Sequence, residues 1–253
     1  MNALEHLPLF IFLSLLAEIL GTIGGFGSSL FFVPIASYFI DLHSVLGITA
    51  MFHVMSNITK LFFFRKGFDK KLIISIGIPA VIFVVLGAYL GKYIQTGILE
   101  ILLAIFLIGV SLTFLIFKEI VLKPTLFNAI GGGALSGFIA GLIGTGGAIR
   151  GITLAAFNLT RDSFIATSAL IDLGIDSSRG VVYYLNGYVH KDDLYLLPML
   201  LMASILGTYI GKKILEQMSE KQFKQTVLVL VLITGIISLG KVIFPSIKTY
   251  LDN

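Results

Sequence analysis

The sequence predicts an all-α, polytopic membrane protein made of two inverted repeats, and three observations carry that prediction. Hydrophobic residues fill 57% of the 253 positions and charged residues only 13%, about half the roughly 25% that wets a soluble domain. Mean hydropathy is +0.99. The apolar residues fall in blocks long enough to cross a bilayer, since about 20 residues span its hydrocarbon core. Finally, both halves of the chain carry the same motifs in the same order.

Eight apolar blocks follow one another: Pro8–Ile40, Ser44–Phe64, Leu72–Ile94, Leu99–Phe117, Thr125–Phe157, Phe164–Leu185, Leu194–Leu215 and Phe223–Ile243. The third is interrupted only by Lys92 and polar Ser75, and the fourth carries only Glu100. Short loops hold most of the charge, so the net +4 reads as an orientation signal and not as nucleic-acid binding. Cysteine is absent, which excludes disulfides, thiol catalysis and Cys-ligated metal. The N-terminus shows neither a basic n-region nor an A-x-A site, so no signal peptide is expected. No linker or soluble domain separates the blocks.

Blocks one and five are too long for one crossing. Each is about 33 residues, roughly 50 Å as helix, against a hydrocarbon core of about 30 Å. Both contain a glycine cluster, "GTIGGFGSSLFFVP" at Gly21–Pro34 and "GLIGTGGAIRGITL" at Gly141–Leu154. Each glycine costs a helix about 1 kcal/mol relative to alanine. Both blocks are therefore expected to fold as hairpins, the first from Pro8–Ile23, about 24 Å, and Ser28–Ile40, about 20 Å.

The halves, 1–122 and 123–253, match at an offset of about 120. "GAYLGK" at Gly87–Lys92 repeats as "GTYIGK" at Gly207–Lys212. Gly21, Gly24 and Gly27 match Gly141, Gly144 and Gly147; Gly67 matches Gly187; Pro79 and Pro198 agree within one residue. Loop charge reverses between the copies. Arg65, Lys66, Lys70 and Lys71 outweigh Asp69 after block two, while Lys191 faces Asp192 and Asp193 after block six. Only Lys92 follows block three, whereas Lys212, Lys213, Lys221 and Lys224 follow block seven. Cytoplasmic loops are rich in Lys and Arg, so matching loops are expected on opposite sides. A hairpin plus three helices makes three net crossings, which inverts the second copy.

Two constellations are candidates for chemistry. A helix that restarts inside the bilayer points free amides and a positive dipole end at the break, and such starts bind anions. Transporters built from repeats hold substrate between such paired breaks. The candidate binding residues are Gly24, Gly25, Gly27, Ser28 and Ser29 in one copy and Gly144, Gly146, Gly147 and Arg150 in the other. The alternative is that the glycines serve only close helix packing. The second constellation is a polar stripe, Thr49, His53, Asn57 and Lys60 in block two, repeated as Ser168, Asp172, Asp176 and Arg179 in block six. Both have helical-face spacing, at an offset of 119. Ionisable groups within spans mark pathways, although Lys60 is placed to snorkel and the aspartates to neutralise Arg150 or Arg179. Glu18 is a lone intramembrane acid, open to a proton-coupling or a hydrogen-bonded structural role. Glu18, His53, Asp172 and Asp176 are the proton-coupling candidates. No catalytic, nucleotide or metal motif is present, and the four histidines lack ligand spacing.

These motifs resemble the TauE/SafE family, the sulfite exporter-like permeases. The paired glycine breaks, "GIT" at Gly47–Thr49 and "ATS" at Ala166–Ser168, the "RKG" and "LNG" loops, and "GAYLGK" with "GTYIGK" carry the likeness across nearly the whole chain. Phe26 interrupts what is commonly a plain glycine run, and Leu154 stands where the first half has Pro34. The resemblance implies a secondary transporter of a prokaryotic cytoplasmic membrane, without cofactor, moving small anions such as sulfite or sulfonates. Protons are the expected coupling ion. A passive anion channel or a non-transporting scaffold are the rival readings, and the oligomeric state stays open.

Overall fold

A computed structural model describes residues 6–25, 27–64, 67–116, 122–217 and 236. Phe26, Arg65, Lys66, Lys221, Lys224 and all of block eight except Ile236 lie outside the described residues, so the loop-charge and eighth-block expectations are untested there. The described chain is helical: α1 Leu7–Gly24, α2 Ser29–Ala36, α3 Leu42–Phe63, α4 Lys70–Leu72, a π-turn Ile73–Gly77, α5 Ile78–Gly91, α6 Thr96–Ile116, α7 Leu126–Ile143, α8 Gly147–Ala155, α9 Arg161–Leu185, a 3-10 turn Lys191–Asp193 and α10 Leu196–Leu215. Helix α4, the π-turn and α5 run on as one rod. Five helical stretches are long and apolar enough to cross a membrane: α1, α3, the rod Lys70–Gly91, α6 over Thr96–Thr113, and α7. The 25 residues of α9 reach about 38 Å, but its polar stripe lowers its hydropathy.

Both long blocks break where the glycines stand. Gly25, at φ 65°, caps α1, and Gly144, at φ 80°, caps α7. Left-handed backbone suits glycine because a Cβ there strains against the carbonyl. The pairing of the two breaks differs by one residue from the expected register: Gly25, not Gly24, corresponds to Gly144. The first loop holds four residues, 25–28, and the second three, 144–146. The second arm of block one is also shorter than the expected Ser28–Ile40. Helix α2 has 8 residues and α8 has 9, about 12 and 14 Å, so neither crosses the core. Helix α2 stops early because the chain turns at Ser37–Ile40 and Asp41 caps α3 by accepting from the amides of His43 and Ser44.

The halves interlock. Glycines of "GAYLGK" lay α5 on α7, and glycines of "GTYIGK" lay α10 on α1. A Cβ on Gly87 would strike the carbonyl of Phe138; on Gly207 it would lie 2.8 Å from Glu18 Cβ, and on Gly211 2.9 Å from Thr22 Cβ. Along α7, Gly133, Gly137 and Gly141 press in turn on the carbonyls of Ile76, Ala80 and Val84. Small residues at four-residue spacing let two backbones approach where apolar burial supplies no drive. The stripe helices α3 and α9 run antiparallel: Gly47 packs on Tyr188, Gly180 on Ala50 and Gly67 on Ser163. Large apolar side chains such as Phe12, Ile82, Ile105 and Leu206 are exposed on the outside, as a lipid-facing surface requires.

Candidate functional site

Both helix restarts open on one polar void at the centre of the bundle. Its lining includes Gly27, Ser28 and Ser29 from the first break, Gly144, Gly146, Gly147 and Arg150 from the second, and His53, Asn57, Lys60, Asp172, Asp176 and Arg179 from the stripes. Its volume of about 10 Å³ is roughly the room one water needs. A second void of about 10 Å³ shares Gly27, Asn57, Lys60 and Asp172 and adds Gly25 and Ser168. Irregular backbone within a membrane survives only where surrounding protein or such polar space satisfies it.

The charges form a closed set. Lys60 Nζ lies 2.8 Å from Glu18 Oε1 and donates to Ser56 Oγ at 2.7 Å. Glu18, 0% exposed, also accepts from Ser28 Oγ at 2.7 Å, Ser56 Oγ at 2.6 Å, Thr208 Oγ1 at 3.1 Å and Thr22 Oγ1 at 3.2 Å. Arg150 grips Asp172 through both terminal nitrogens, while its Nε donates to Ser168 Oγ at 3.2 Å. Arg179 meets Asp176 at 2.7 Å and donates to the carbonyls of Ala140 and Gly144 at 3.0 and 2.7 Å. Its cation thereby caps the negative end of the α7 dipole. Arg179 Nε keeps no partner. His53 Nε2 is 3.1 Å from Ser28 Oγ and its Nδ1 3.8 Å from Asp176, so it bridges the two networks. Asn57 donates to Asp176 at 2.7 Å; these residues, 119 apart, hold matching positions in the two stripes.

Three candidates line neither void, and one of them, Glu18, is held in the network above. Thr49 donates its hydroxyl to Val45 O within its own helix at 2.6 Å, and Gly24 is the last residue of α1; neither lines a void. The packing alternative holds for the candidate Gly146, where a Cβ would strike the carbonyl of Ser136, as it does for Gly21 against the backbone of Ser28 and Gly141 against the carbonyl of Val84. Sequence reading missed Thr22, Ser56, Thr208 and Tyr183, whose hydroxyl donates to Gly141 O at 2.7 Å. Thr208 had a signal, because "GTYIGK" places a hydroxyl where "GAYLGK" has an alanine.

The sulfite exporter TauE/SafE family pattern matches residues 10–237 of this chain. The chain belongs to the TauE/SafE family. A relative from the archaeon Methanocaldococcus jannaschii, named a probable membrane transporter protein, is 27% identical, over 86% of this chain and 90% of its own. No solved structure matched. Family membership agrees with the helices, the paired breaks and the apolar exterior described above.

Proposed function

We propose that this TauE/SafE protein is a secondary transporter of small oxyanions, sulfite or organosulfonates, in the cytoplasmic membrane, exporting by alternating access around the central void. One observation carries the proposal: the two helix restarts, far apart in sequence, meet at one buried cavity beside Arg150. The opening amides of α2, at Ser29 and Leu30, and of α8 have no intrahelical acceptors, and the dipoles of both helices favour negative charge there. Ser29 adds a hydroxyl, since the Ser28 proton is already given to Glu18, and the spare Nε of Arg179 adds a donor. The antiparallel stripe helices, bonded at Asn57 and Asp176, support a two-fold inverted relation about which the halves rock.

The void is too small for sulfite, which fits a collapsed state without substrate and disfavours an open channel. Purified protein in proteoliposomes is expected to move labelled sulfite and ethanesulfonate above the empty-liposome rate. Arg150→Ala is expected to lower that flux at least tenfold; full flux in this variant removes Arg150 from the site. Single-channel currents would replace the transporter reading with a channel.

A further inference from the structure

The proposed site is electrically complete before any anion arrives. Among the described residues, the buried charged side chains are Glu18, Lys60, Arg150, Asp172, Asp176 and Arg179, and each base has its own acid. An extra anion in this neutral, buried cluster would leave an uncompensated charge, which low dielectric penalises heavily. Admission therefore needs a compensating positive charge, and a proton on one carboxylate supplies it while releasing that carboxylate's base.

The geometry singles out which one. Glu18 is held by Lys60 and four hydroxyls, and Asp176 by Arg179 and Asn57 with His53 nearby. The hydrogen bonds and ion pairs of Asp172 in the described structure all come from Arg150. Asp172 is also the most exposed of the three acids, at 9% against 0% and 2%, and the only one lining both voids. A methyl on Gly27 would lie 3.8 Å from Arg150 Nη2 and 4.0 Å from Asp172 Oδ2. The ion pair thus sits against the tip that begins α2, where an oxyanion would dock. The other charged or titratable groups around Asp172 are His53 and Lys60 on α3 and Asp176 and Arg179 on α9; Glu18 of α1 is bound to Lys60, and the α2 tip offers uncharged Gly27 and Ser29.

We propose that Asp172 is the coupling group: its carboxylate occupies the anion seat on Arg150, and one proton on Asp172 per monoanion hands Arg150 to the substrate. Transport is then an electroneutral proton–anion symport, whose direction follows the sum of the anion and proton gradients, so that export runs when the internal anion is in sufficient excess. This rests on the anion-site reading above and names its coupling ion, stoichiometry and carrier.

Ethanesulfonate is the probe, because it stays a monoanion across the neutral range and any proton must ride on the protein. Full-length protein in weakly buffered detergent is expected to take up one proton per anion bound. Its Kd should weaken about tenfold per pH unit wherever Asp172 is ionised. Asp172→Asn is expected to bind without proton uptake or pH dependence, and Asp172→Glu to restore both. In proteoliposomes with the membrane potential clamped at zero, a pH gradient alone should drive accumulation. Binding without proton uptake in the native protein, which needs no variant, overturns the inference and leaves the anion site standing; so does proton uptake that persists in Asp172→Asn. Absence of both binding and flux for ethanesulfonate and sulfite overturns the site itself, and the coupling falls with it.

Discussion

In the first half the cation of the α3 stripe, Lys60, reaches across to Glu18 on α1; in the second half its counterpart on α9, Arg179, takes Asp176 from its own helix. The position matching Glu18 is Gly137, which lies against the carbonyl of Ala80 and offers no acid. Conversely, the fourth residue of α8 is Arg150, while the fourth residue of α2 is Phe32, wholly buried in the apolar core. Glu18 thus sits in a saturated lock that ties α1, α3 and α10 together, while Asp172 sits in a single ion pair beside a helix tip. Matching sequence positions face inward in both halves; the side chains at those positions decide which of them are held by many partners and which by one.

That contrast is open to direct attack. The largest effect is expected at Glu18: Glu18→Ala strands Lys60 and several hydroxyls, and breaking a buried pair in this way costs about 3–5 kcal/mol. A double change, Glu18→Leu with Lys60→Met, should recover much of that loss in a thermal melt. Arg150→Ala should instead weaken sulfonate binding at least tenfold while costing less stability, because Asp172 beside the void can be hydrated or protonated. If Arg150→Ala proves the more destabilising of the two, the lock and the site have been assigned to the wrong halves.

Helix contact comes next. Gly87→Ala drives a methyl into the carbonyl of Phe138, an overpacking worth about 1–3 kcal/mol, measurable as a lower Tm. The matched loop glycines make a finer comparison. Gly67 and Gly187 have φ of 79° and 78°, with nothing closer than 3.7 Å to an added methyl at either. Alanine at each should cost the same, about 1–2 kcal/mol of backbone strain. Unequal losses would show that the loops are not equivalent.

The smallest effect concerns the caps of the stripe helices, Asp41 on α3 and Thr160 on α9. Burial raises the carboxyl of Asp41, but hydrogen bonds from the Ser44 side chain and from the amides of Ser44 and His43, with the charge of His190, outweigh it and hold the group below the usual carboxylate range. A carboxyl lowered by folding stabilises above its unfolded pKa and loses that contribution as pH falls through its folded value. Asp41→Ala should therefore cost about 1 kcal/mol near neutrality and less in acid. Thr160→Ala should cost about the same at every pH. Melts across an acid-to-neutral series would separate the two.

Much of this architecture could be read before any coordinates. The breaks at Gly25 and Gly144 were visible because clustered glycines in an apolar run have few other uses. The stripes were visible because helical spacing is local. What failed was local too. Thr49 shares the stripe register, yet its hydroxyl turns back to Val45 O, a competition within the helix that spacing does not reveal. The one-residue difference between the breaks escaped because glycine runs align in several registers. The second arm of block one ended early because the turn after Ala36 and the cap at Asp41 outweighed continued hydrophobicity.

Sequence by itself determined the solvent, the helical blocks, their two interruptions and the faces that turn polar, since composition and periodicity act over a few turns of chain. Only tertiary structure decided which acid meets which base. Arg150 of α8 finds Asp172 of α9 within one half, whereas Asn57 finds Asp176, and both restarts reach one point, because glycine-lined helices from opposite halves pack closely. Buried charge tolerates no vacancy there, so each base had to take the nearest acid that the packing supplied.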